Sequence, residues 1–150
     1  MDGSGTDARN RSTTERLRAL VGRVSDDDLA RSLDPVWTTS ALLAHIAFWD
    51  RFVLGRWRLA AVRGNRLPDR MEDTPQDLIN DAAIPGWIAV PPRAAADACL
   101  AAAEELDRFI GSLDPGIIAE LVRDGRERLV DRSLHRGEHL GTLETVFPEG

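Results

Sequence analysis

A chain of 150 residues, 43% of them hydrophobic, is long enough to close one core, and no stretch approaches the roughly 20 continuous apolar residues that span a bilayer. A net charge of -6 argues against a general nucleic-acid binder, which needs a basic surface for phosphates. A single cysteine, Cys99, excludes an internal disulfide.

Residues 1–11 are small, polar and charged. They lack the apolar run of a signal peptide and read as a loose tail on a cytoplasmic protein, with a single domain over residues 12–150. Ser12-Thr13-Thr14-Glu15 has the S-x-x-E form of a capping box, and Leu17, Leu20, Val21 and Val24 follow at helical spacing. A first helix is expected over Thr13–Val24. Ser25 then precedes Asp26-Asp27-Asp28, acids suited to a helix N-terminus, so a short helical turn is expected as far as Leu33. After the Asp34-Pro35 turn, Thr38 or Thr39 caps a long helix reaching Arg63 and stopping at Gly64-Asn65. Leu42, Ile46, Trp49, Phe52 and Val53 make its apolar stripe, and His45 falls on that side.

Thr74-Pro75 starts a short helix to Ala83, with proline in the first turn where its missing amide does no harm. The segment from Ile84 to Pro92 holds three prolines, Gly86 and Trp87, and reads as an irregular crossing. Trp87 is its candidate pocket wall. The alanine-rich run 94–103 has high helix propensity and predicts a helix over Arg93–Ile110, ended by Gly111. Cys99, within that run, reads as a small buried side chain rather than a nucleophile. Asp114-Pro115-Gly116 is a turn. A last helix is expected over Glu127–Val146, with Gly137 and Gly141 on one face, a place for close packing or access to a pocket. The sum is an all-α fold, most simply a four-helix bundle.

The chain has three histidines, His45, His135 and His139. The last two are four apart, so they project from one helix face as a two-ligand clamp. Such pairs also arise on surfaces by chance, and a lone core histidine is more often hydrogen-bonded than a ligand, so spacing leaves both readings open.

Two stretches carry a resemblance. Trp37-Thr38-Thr39-Ser40-Ala41-Leu42-Leu43-Ala44-His45-Ile46-Ala47 resembles the second-helix motif of the DinB-like superfamily. Leu134-His135-Arg136-Gly137-Glu138-His139-Leu140 resembles its last-helix H-x-x-x-H motif. That superfamily includes DinB proteins, YfiT-like metal hydrolases, bacillithiol transferases and mycothiol-dependent maleylpyruvate isomerases. The resemblance implies a DinB-like four-helix bundle with His45, His135 and His139 as ligands of one divalent metal. Some members, the isomerase among them, carry glutamate where His135 stands, so this chain departs from the isomerase pattern there.

Three protein ligands leave a coordination position open, as in catalytic sites. Imidazole ligation suits zinc first, then nickel or iron. The family implies a thiol cofactor, mycothiol or bacillithiol, and a small-molecule substrate. An arginine-only basic set, typical of a GC-rich genome, leans toward mycothiol. Asp50, Asp131 and Glu138 are candidates to orient the imidazoles or act as a base, against the plainer reading of solvated acids. Arg51, Arg56, Arg58, Arg63, Arg66 and Arg70 could attract an anionic substrate, but a solvated face with charges suited to the helix C-terminus is the better reading. The readings that remain are a thiol-dependent transferase or isomerase, a hydrolase, a non-enzymatic metal- or small-molecule-binding stress protein on the same bundle, or a helical scaffold with vestigial histidines. A homodimer is compatible with each.

Overall fold

The computed structural model describes residues 3–72 and 74–150. Met1 and Asp2, the first residues of the expected tail, and Asp73 lie outside the described residues. Among those described, the fold is all-α. Seven α-helices and one 3-10 turn are present with no named strand, only an isolated bridge between Ser32 and Thr38. No described helix is long and apolar enough to cross a membrane. By internal contacts the chain divides into two units, Asp26–Cys99, and Met1–Ser25 with Leu100–Gly150.

In the unit Asp26–Cys99, α2 (Asp26–Ala30) packs on α3 (Thr39–Val62), and α3 on α4 (Thr74–Ala89). The Thr38 side chain caps α3 by accepting from the Ala41 amide at 3.1 Å. Gly64 ends the helix at φ 72°, a left-handed conformation that glycine adopts without strain. Helix α4 departs from expectation. It continues through Ile84 to Ala89 with Pro85 inside, where an irregular crossing was expected. An interior proline removes one ladder hydrogen bond. Here the continued helix buries Trp87 in an apolar cluster with Ala41, Ala44 and Ala95, and that burial offsets the loss. The first turn of α5 (Pro92–Gly111) follows almost at once.

In the other unit, α1 (Gly3–Arg23) packs against α7 (Ser133–Val146) and α6 (Pro115–Arg123), and α6 against the 3-10 turn Glu127–Leu129. Three expectations are corrected here. Helix α1 begins at Gly3, ten residues before the expected start at Thr13, so residues 3–11 are helix rather than loose tail. Its inward face opens with polar residues, Thr6, Asn10, Thr13 and Thr14, before the leucines take over. The supposed capping box is mid-helix, and Thr13 Oγ1 donates back to the Asn10 carbonyl at 2.8 Å. Next, Asp114-Pro115-Gly116 is more than a turn. Asp114 accepts from the Gly116 amide at 2.7 Å and starts α6, which buries Ile118 and Leu121. Finally, α7 starts at Ser133, after the 3-10 turn, rather than at Glu127. A Cβ added to Gly137 or Gly141 would meet nothing within 4 Å, so these glycines do not serve close packing.

Candidate metal centre

His45 lies in the second turn of α3, 5% exposed. The residues before the helix set its surroundings. Asp34 Oδ1 accepts from the amides of Val36 and Trp37, both at 2.7 Å, and the Leu33 amide donates to the Trp37 carbonyl at 2.8 Å. This closes the turn and holds the Trp37 indole edge-on to the His45 ring, centroids 5.4 Å apart. The Trp87 indole meets the same ring edge-on at 5.0 Å and stacks on Trp37 at 6.0 Å. Two indoles thus fix the tilt of one imidazole. Asp50, one turn and a half further along α3, is wholly buried.

His135 and His139 are half-buried on α7. Their Nε2 atoms stand 3.2 Å apart with the rings at 88°. Arg132 contributes a nearly buried guanidinium. Its NH1 donates to the Arg128 carbonyl at 2.9 Å, and its NH2 lies 3.4 Å from His135 Nδ1. Burial pushes the His139 imidazole below its ordinary value of 6.5, against a smaller upward pull from Glu138, and so favours the neutral ring.

The setting of α7 comes from residues that the sequence did not mark as functional. The helix buries Arg136, Leu140 and Leu143 on one face, so an arginine occupies the first core position. Arg136 is 0% exposed. Its NH1 donates to Asp107 Oδ1 at 2.8 Å, to Thr14 Oγ1 at 3.2 Å and to the Asn10 carbonyl at 3.3 Å, while NH2 reaches the Ala103 carbonyl at 3.4 Å. Asn10 secures the helix start. Its Oδ1 accepts from the amides of Arg132 at 2.8 Å and Ser133 at 3.2 Å, and its Nδ2 donates to the Val130 carbonyl at 2.8 Å. These contacts satisfy amides that a helix N-terminus otherwise leaves orphaned. Only the wrong polarity for a helix face, arginine between two histidines and Thr6, Asn10, Thr13 and Thr14 at helical spacing, could have flagged this network.

Of the three acids, Asp131 is committed to structure. Its Oδ2 takes Arg9 at 2.9 Å, and its Oδ1 takes the amide of Ser133 at 3.1 Å and that residue's hydroxyl. Glu138 is exposed. Trp87 lines a pocket of about 590 Å³ along α3. Cys99 is in no disulfide and is wholly buried, the small core side chain its surroundings in sequence suggested.

By ligand chemistry, His45, His135 and His139 could each hold a metal ion. The family model for the mycothiol maleylpyruvate isomerase N-terminal domain matches residues 11–136. The chain belongs to that family, a domain of the DinB-like superfamily. The match takes in His45 and His135 and stops short of His139. No curated protein and no solved structure matches the chain.

Proposed function

We propose that this protein is a metal-dependent enzyme that binds one divalent cation, zinc by preference, through His45, His135 and His139, on the four-helix bundle its motifs suggest. It would act with a low-molecular-weight thiol, mycothiol before bacillithiol, as a transferase or isomerase on a small molecule.

The observation that carries the reading is the 3.2 Å approach of His135 Nε2 to His139 Nε2. Two nitrogens each 2.0–2.1 Å from a tetrahedral ion stand roughly 3.3 Å apart, so the pair fits two ligands of one cation. The donor set fits as well: imidazoles bind as neutral rings, and burial keeps His139 neutral. A bound cation would lower the pKa of a water or thiol in the open position. The chain's own residues supply the rest. The two indoles hold His45 in orientation, the Asn10 and Arg136 contacts hold α7, and Arg132 places a positive charge suited to a thiolate or carboxylate beside His135. Membership of the mycothiol isomerase family supports a thiol partner.

Elemental analysis of untagged protein tests the metal. About one equivalent is expected, falling below about a tenth in His45→Ala and in His139→Ala. Metal below that level in the parent, or unchanged in His45→Ala, would overturn the three-histidine site. Metal-loaded protein is then assayed with mycothiol and with bacillithiol against a panel of electrophiles. Full metal occupancy without turnover would make it a binding protein instead.

A further inference from the structure

The α3 helix is apolar on two sides. Its core stripe is Leu42, Leu43, Ile46, Val53 and Leu54, all buried. A second stripe, from Ala44 to Leu59 in steps of three and four, lines the 590 Å³ pocket with Trp87 and Val90. Phe48 and Phe52 stack along it, centroids 6.1 Å apart, and Leu59 is 48% exposed. A surface helix is expected to turn a polar face outward, so a second apolar stripe calls for an occupant. The volume is in the range of small-molecule sites.

Two features say what the occupant is. Arg51 lines the pocket, and among the described residues it has no ion-pair or hydrogen-bond partner. Arg56 lines the pocket as well, but it donates to the Asp69 carbonyl. Gly55 also lines the pocket, in mid-helix. Its φ is not left-handed, and a Cβ there would meet nothing within 4 Å, so neither backbone nor packing demands glycine. A helix-interior glycine costs about 1 kcal/mol relative to alanine, and what it provides here is open volume.

We infer that this pocket binds a small monocarboxylate with an aromatic or alkyl body, the body lying on Phe48, Phe52 and Trp87 and the carboxylate on Arg51. The site does not depend on the metal reading. The Trp87 indole borders both the pocket and the His45 ring, so indole emission reports occupancy.

The test is calorimetry and indole emission with phenylbutyrate, decanoate and their neutral amides, on EDTA-treated and zinc-loaded protein. Saturable single-site binding of the acids is expected, with the amides about fivefold weaker, the scale of an exposed ion pair. Arg51→Gln should bring acid and amide to equal affinity. Gly55→Leu should abolish binding of both while the helical circular dichroism and melting temperature hold. Binding to neither acid, acids and amides binding equally to the parent, or undiminished binding to folded Gly55→Leu would each overturn the inference. So would a parent that sediments as a dimer and becomes monomeric in Gly55→Leu, which would assign this face to a second copy. Loss of metal in His45→Ala with acid binding retained would leave this site standing and count only on the metal.

Discussion

The two units set their histidines by opposite means. In Asp26–Cys99, two indoles meet the His45 ring edge-on and set its tilt. In the other unit, α7 is held by hydrogen bonds: Arg136 and Asn10 spend nearly every polar atom on named partners. Ring packing sets an orientation but tolerates change of similar volume. A buried polar network is rigid when complete and costly when one member is missing. The difference predicts unequal responses to substitution.

The largest should come from the Arg136–Asp107 pair. Arg136→Met leaves a buried carboxylate without its partner and should cost about 3–5 kcal/mol in chemical denaturation, while Arg136→Met with Asp107→Leu should recover much of it. Asn10→Ala removes three hydrogen bonds to the start of α7 and should cost about 2–3 kcal/mol. Its hydrogen exchange should quicken first at the amides of Arg132 and Ser133. On the aromatic side, Trp49→Phe keeps most of the packing and loses the 2.8 Å bond from the indole to Asn80, a cost of about 1–2 kcal/mol. If Trp49→Phe proves costlier than Asn10→Ala, the contrast fails.

The smallest effect is one of pH. The folded His139 titrates below the unfolded value of 6.5, so the unfolded state takes up its proton first. Its contribution is therefore whole above pH 6.5 and lost as pH falls through 6.5 toward the folded value. Metal-free His139→Gln should lose less stability than the parent over that interval. An identical pH dependence would show that burial of this ring carries no such cost.

What could be read from the sequence follows the same division. Where burial is apolar, the sequence was enough: α3 and the side of it that carries His45 came from hydrophobic periodicity and a cap, and α5 with its buried Cys99 from the helix propensity of an alanine-rich run. Where burial is polar, it failed. Thr6, Asn10, Thr13, Thr14 and Leu17 form one helical face, but four of the five are polar, so the stripe looked like a tail. Arg136 hid the core face of α7 in the same way. Helix α6 was missed although Asp114-Pro115 is a sound helix start, because Gly116 and its short length suggested a turn. Pro85 suggested a break that burial of Trp87 overrode. For the site, the residue types were legible, whereas the indole clamp on His45 and the role of Arg132 needed the backbone.

The polar face of α1 also bears on how the protein is made. Asn10 bonds Val130 across 120 positions of chain, so α1 leaves the ribosome long before its partner α7 exists. The stretch from Asp26 to Cys99 has emerged by then and closes its own contacts. Leucines along the whole of that face would invite aggregation while they waited, and α1 confines them to its second half, Leu17, Leu20, Val21 and Val24. Threonines and an asparagine can remain hydrated instead, giving up water only when the Val130 carbonyl and the Arg136 guanidinium arrive. The network that fixes the last helix is one that the nascent chain can afford to leave open.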